Sequence, residues 1–230
     1  MRFFMVSQAR SGTHMIRSVL RVHPSVTMWY DFHADLVGHP GALPAFLEAE
    51  YTKYSQESCV GGFTHFIGVD INENYETWED NWVHFNRLQD RVIVVTRTNT
   101  LSRYLSILIA ESTNKWDCDS PRTSNQQIEL NLQAYLEHLE FFRRNDRKIM
   151  GWIYPYLAVT YEELVNDWDC TIRKVYDYVG LEWNDPKPTT HKQEVRSVKD
   201  IVSNWDQIVS EALALPPDDV SAKLLLELNS

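Results

Sequence analysis

The residues best equipped for chemistry fall in a short run near the start of the chain. Arg10, Ser11, Gly12, Thr13 and His14 place a guanidinium, two hydroxyls, an imidazole and a position without a side chain next to one another. A guanidinium fork with hydroxyl donors suits an oxyanion such as phosphate or sulfate. Glycine lets the backbone come close to such a group. Further along stand a second cation, Arg97, and a second hydroxyl, Ser106. His65 and Asp31 are side chains that can take up a proton.

These groups need elements to hold them, and the hydropathy pattern supplies them. Phe3 to Val6 is a short apolar run of the kind a central parallel strand shows when both faces are covered. Met15, Ile16, Val19 and Leu20 then recur at helical spacing. The loop Ser7–Gly12 therefore faces a helix N-terminus, where free N–H groups and the helix dipole attract anions. His23-Pro24 ends that helix. Val26–Tyr30 predicts a second strand, with Asp31-Phe32-His33 at its C-terminal edge, the edge at which open α/β sheets bind ligands. Residues 37–44 read as loop, followed by a helix carrying Phe46, Leu47 and Tyr51. Cys59–Val69 reads as a weaker strand, interrupted at Gly61-Gly62, that delivers Thr64-His65. Residues 70–90 read as helix.

Arg91–Thr96, RVIVVT, is the clearest buried strand and runs into Arg97. A helix bearing Leu101, Tyr104, Leu105, Leu108 and Ile109 follows. An amphipathic helix from about Asn125 to Arg144 has Ile128, Leu132, Tyr135, Leu136, Leu139 and Phe142 as its apolar stripe. Ile149–Val159 holds another strand, interrupted by Pro155. Asp169 is placed to cap a helix ending at Val179, with Gly180 as its left-handed stop. A last helix bears Trp205, Ile208, Val209 and Leu213. Strands alternating with helices predict an α/β fold, a central parallel β-sheet flanked by helices in a P-loop NTPase-like three-layer α/β/α arrangement. The expected organisation is a single domain over residues 1–230.

Composition narrows the function. The chain has 230 residues, 43% hydrophobic, and a net charge of −10. A pI near 5.2 gives no global affinity for nucleic acid or an anionic membrane. An anionic ligand must be met by a local basic cluster. Cys59, Cys118 and Cys170 fit no zinc spacing. No run approaches the roughly 18 apolar residues of a membrane span, and no signal-peptide pattern is present. The expectation is a cytoplasmic protein with neither a nucleic-acid partner nor a membrane span.

The nucleoside-triphosphate motif G-x-x-x-x-G-K-[ST] is the first comparison for the loop. With Gly12 on its second glycine, Thr13 takes the lysine position and His14 the hydroxyl position. Both groups needed to hold a triphosphate and its magnesium are missing. The segment Arg10-Ser11-Gly12-Thr13 instead resembles the 5′-phosphosulfate loop of sulfotransferases that use 3′-phosphoadenosine 5′-phosphosulfate (PAPS). Val92–Ser106 resembles the strand and helix of that family whose arginine and serine bind the 3′-phosphate, and Arg97 and Ser106 take those places. Tyr161-Glu162-Glu163-Leu164, Tyr178-Val179-Gly180-Leu181, Lys192-Gln193 and Asn204-Trp205 resemble the C-terminal half of bacterial members.

The resemblance implies sulfuryl transfer from PAPS to a hydroxyl or amine of a small molecule or carbohydrate, leaving adenosine 3′,5′-bisphosphate (PAP), with no metal. It assigns Arg10, Ser11, Gly12, Thr13, His14, Arg97 and Ser106 to the nucleotide, with Arg10 also stabilising the leaving oxygen. His65 is the first choice of base, because Thr64-His65 resembles the family's T-H pair. Asp31 is the second, standing where several members carry a glutamate. His14 is read as lining the phosphosulfate pocket, Trp29 as near the acceptor, and Arg103 as part of a solvated basic face. Two other readings stay open: a P-loop kinase with a degenerate lysine, and a non-catalytic nucleotide-binding or scaffold protein. The acceptor and the oligomeric state are left unassigned.

Overall fold

The computed structural model describes residues 1–28, 42–65, 91–116, 127–152, 155–187 and 197–216. The chain forms two compact units, Met1–Thr98 with Arg144–Thr189, and Asn99–Arg143 with Thr190–Ser230.

The first unit is built on a parallel sheet in the order β2-β3-β1-β4-β5. Its strands are β1 (Arg2–Ser7), β2 (Val26–Met28), β3 (Cys59–His65), β4 (Arg91–Thr96) and β5 (Leu157–Thr160). β1 is central because both its faces are apolar. Phe3, Phe4, Met5 and Val6 are all 0% exposed, and Val92 to Val95 of β4 are almost equally buried. Burying each such side chain contributes about 1.5–3 kcal/mol. Phe3, Met5, Ile93, Val95 and Val159 form one core with Ile16, Val19 and Leu20 of α1 (Thr13–Val22). Ile172, Val175 and Val179 of a further helix, Trp168–Val179, complete it. This is the α/β class with a central parallel sheet and flanking helices, P-loop-like in its strand–loop–helix start.

β3 runs without a break through Gly61 and Gly62. The glycine has a steric purpose there, since a Cβ on Gly61 would stand 2.1 Å from the ring of Phe3 on the neighbouring strand. The helix α2 (Ala42–Lys53) begins inside the stretch expected to be loop. Pro44 falls in its first turn, where the missing N–H removes no intrahelical bond.

In the second unit, α3 (Thr100–Thr113) packs Leu101, Tyr104, Leu105 and Ile109 against Tyr135 and Phe142 of the long helix and against Ile201, Trp205 and Ile208. Arg103 belongs to this core rather than to a solvated face. It is 0% exposed, with its guanidinium 4.1 Å over the ring of Phe142. Ser106 lies half-buried on the same helix.

The long helix α4 spans Leu132–Trp152, later than the expected 125–144. Ile128 is drawn into a bridge with Val202, and the Asn131 side chain accepts the Ala134 N–H, which sets the start at the next residue. No glycine or proline stops the helix before Gly151, so Ile149 is helical and the strand begins only after Pro155. β5 passes directly into α5 (Tyr161–Asn166), started by a capping box between Thr160 and Glu163. In α6 (Trp168–Val179) the cap is Asp167, which accepts from Cys170, while Asp169 sits in the first turn. Gly180 ends α6 in the left-handed conformation as expected. α7 (Val198–Ile201) and α8 (Trp205–Leu213) follow. No helix among the described residues is long and apolar enough to cross a membrane.

Candidate nucleotide site

Parallel pairing brings several of the singled-out residues to one sheet edge. Ser7, the last residue of β1, is in register with His65 of β3 and Val95 of β4. The loop after β1, the end of β3 and Arg97 after β4 therefore leave the sheet together, at the carboxyl edge. His65 is placed there by its backbone. Asp31, Trp29, His33, Cys118, Lys192 and the 70–90 segment lie outside the described residues. Ser106 belongs to the second unit.

The loop itself is tightly determined. Arg10 has φ 63 and Gly12 φ 92, two left-handed residues on either side of Ser11 that turn the backbone sharply, the kind of turn from which anion-binding backbone nests are built. Thr13 Oγ1 donates to Ser7 Oγ, tying the start of α1 to the end of β1. That bond commits the Thr13 hydroxyl proton within the protein, leaving Thr13 its backbone N–H for a ligand. The N-terminus of α1 has no side-chain cap hydrogen bond and no acidic residue in its own first turn, an arrangement that favours an anion. His14, half-buried, turns its ring edge-on to Phe63 with centroids 5.7 Å apart, and Arg17 lies over the same ring.

Arg97 is bound to this loop. Its Nη1 donates to the Arg10 carbonyl at 3.4 Å, and its guanidinium sits 4.2 Å over the ring of Tyr161. Burial pushes the Arg97 pKa down, against the opposing pull of Tyr161 and Glu162, yet arginine retains its charge. Burial likewise raises the Tyr161 phenol, which stays neutral in ordinary conditions. Glu162 accepts the Thr98 N–H at 3.1 Å, pinning the chain just after Arg97. Among the described residues, Ser11 Oγ and Arg97 Nε are buried and have no hydrogen-bond partner. A buried donor left unsatisfied costs about 1–3 kcal/mol, which an anion accepting from both would offset.

Two side-chain contacts at the loop are not marked in the sequence. Tyr161 fills the space beside Gly12, where an added Cβ would be 2.8 Å from its Cδ2. Gln8, 2% exposed, donates through Nε2 to Asp146 Oδ1 on α4. Aromatic and acidic residues at positions 161 and 146 carry no local signal of this, since both contacts are made across the fold. Among the described residues no group of three or more His, Cys, Asp or Glu side chains is arranged to hold a metal ion.

A parallel sheet whose central strand feeds a tight loop and a helix defines a P-loop-like α/β fold. Residues 89–185, which include β4, Arg97, β5 and Tyr161, match the sulfotransferase family. The chain is also similar to the mouse sulfotransferase SULT7A1 complexed with PAP, at 15% identity over 97% of this chain and 87% of that one, TM-score 0.46. A sulfotransferase from Alicyclobacillus acidocaldarius is similar at 14% identity, over 97% and 94% of the two chains, TM-score 0.48. A shikimate kinase from Bacteroides thetaiotaomicron gives 14% identity over 78% and 98%, TM-score 0.42. No curated protein matches the sequence.

Proposed function

We propose that the protein transfers the sulfuryl group of PAPS to a hydroxyl or amine of a small-molecule or carbohydrate acceptor, releasing PAP, and that the 230 residues act as one sulfotransferase-like domain. The observation that carries this reading is the pair of partnerless buried donors, Ser11 Oγ and Arg97 Nε. They accompany a left-handed loop at an uncapped helix N-terminus. That donor set is suited to the tetrahedral oxyanions of a phosphosulfate nucleotide, and it lacks the lysine that triphosphate chemistry demands.

In this reading Arg10, Ser11, Gly12, Thr13 and His14 hold the 5′-phosphosulfate, and Arg97 with Ser106 holds the 3′-phosphate. The acceptor oxygen or nitrogen attacks sulfur in line. The bond from sulfur to the bridging phosphate oxygen breaks, and its electron pair leaves with PAP. Negative charge grows on that oxygen, so the Arg10 guanidinium and the backbone N–H groups of Ser11 to His14 stabilise the transition state more than the ground state. His65 takes the acceptor proton, with Asp31 the second choice. The position of His65 alongside Ser7 in the sheet register supports its assignment. No step calls for a metal.

The reading is tested by an acceptor screen with labelled PAPS. Label appearing on an acceptor, with stoichiometric PAP and no need for magnesium, supports it. Phosphoryl transfer from a nucleoside triphosphate in the same screen would replace it.

A further inference from the structure

We infer that Asp146 is a positioning residue for the anion loop, acting through the side chain of Gln8. The inference rests on the nucleotide reading given above and deepens it by naming what holds the phosphosulfate end in shape.

Gln8 is the first residue beyond β1, and its side chain is turned inward at 2% exposure. Its Nε2 donates to Asp146 Oδ1, 138 positions away in the sequence. The bond is charge-assisted, so it is stronger and more directional than an amide–amide contact. Asp146 sits on α4 in the turn that buries Asn145 at 3% and Ile149 at 2% exposure, which fixes the carboxylate relative to the sheet. On the other side of the loop, Thr13 is tied to Ser7 and Arg10 to Arg97. The loop is thus fastened at its C-terminal part by groups that would also meet the ligand. At its N-terminal part it is fastened by Gln8 and Asp146.

Through Gln8 Nε2, Asp146 orders the start of the loop, upstream of Arg10 and the Ser11 to His14 segment that the proposed reading assigns to the nucleotide. Without it the segment Gln8-Ala9-Arg10 gains alternative conformations, and the left-handed backbone at Arg10 must then be selected when ligand binds. That selection lowers apparent affinity by the fraction of time the loop is competent. The loss falls on ligands with a 5′ anion and spares contacts made elsewhere.

The test is calorimetric titration of the full chain, without magnesium, using adenosine 3′,5′-bisphosphate and adenosine 3′-monophosphate. The wild-type protein should prefer the bisphosphate. In Asp146→Ala that preference should fall about tenfold while 3′-monophosphate affinity is kept. Asp146→Asn, whose side-chain oxygen can still accept from Gln8, should retain most of the preference. Gln8→Ala should reproduce Asp146→Ala, which keeps the idea testable if one variant folds poorly. An undiminished preference in both alanine variants, or an equal loss for both ligands, overturns the positioning role. If the wild-type protein shows no preference at all, the nucleotide reading falls and takes this role with it.

Discussion

The guanidinium of Arg97 lies 4.2 Å over the ring of Tyr161, and the same ring occupies the space beside Gly12. One aromatic side chain from the start of α5 therefore sets both the cation after β4 and the glycine of the loop after β1. The placement follows from local rules: β5 ends at Thr160, the capping box starts a helix at the next residue, and Tyr161 is that residue. Stacking on the ring holds the planar guanidinium with Nη1 toward the Arg10 carbonyl and leaves Nε, buried, without a partner.

Removing either member of this pair should weaken nucleotide binding. Arg97→Ala should lower PAP affinity about tenfold to a hundredfold, the value of a hydrogen bond to a charged group. Arg97→Lys should recover little, because an ammonium has neither the fork nor the stacking plane. Tyr161→Leu should cost a smaller factor, about three to ten, while Tyr161→Phe keeps the ring and most of the affinity. Titration calorimetry on the four variants checks the order.

Gly12→Ala should destabilise the fold as well as the site. Its φ of 92 disfavours any side chain, and the new Cβ would meet Tyr161 Cδ2 at 2.8 Å. The expected loss is about 1–3 kcal/mol in urea unfolding. Adding Tyr161→Ala to Gly12→Ala should relieve the clash but not the backbone strain, so part of the loss should remain.

The two choices of base separate cleanly in kinetics. Under the proposed reading His65→Ala and Asp31→Ala both keep PAP affinity within about twofold, and one of them abolishes transfer at saturating PAPS. Single-turnover transfer rates on each variant make the assignment, and full rates in both would move the base elsewhere.

Much of the frame was legible in the sequence because its causes are local. The apolar runs of β1 and β4, the helical spacing in α1 and the glycine stop at position 180 each depend on neighbouring residues alone. The misplaced features depend on partners far away. Ile128 is held outside α4 by pairing with Val202, and Arg103 looks like a surface cation until Phe142 is brought under it. Gly61 reads as a break in a strand until Phe3 is seen to lie against it. At the site, the loop from Arg10 to His14 and Arg97 could be picked out by residue type. Tyr161 stands out in the sequence only by likeness, Gln8 only as a member of the loop, and Asp146 not at all, because no pattern within these segments marks a contact made across the fold.

Glu163 gives the fold a measurable acid sensitivity. The Thr160 backbone N–H, chiefly, holds its carboxyl below the usual glutamate range against the opposing effect of burial, with lesser help from the Thr160 hydroxyl and Lys174. Because the folded value lies below the unfolded one, the stabilisation is fully present above the ordinary glutamate pKa and is lost as pH falls through the folded value. Thr160→Val removes the hydroxyl half of the capping box and should cost about 1 kcal/mol at neutral pH. Glu163→Gln should narrow its gap from wild type as the solution is acidified, and urea midpoints followed from about pH 6 to about pH 3 report both effects.

The claim that the loop after β1 and Arg97 serve a phosphosulfate nucleotide is tested most directly by comparing PAP with ATP in calorimetric titrations of the unmodified protein. The account predicts that PAP binds in the absence of magnesium and more tightly than ATP with magnesium. Tighter binding of magnesium ATP would contradict it.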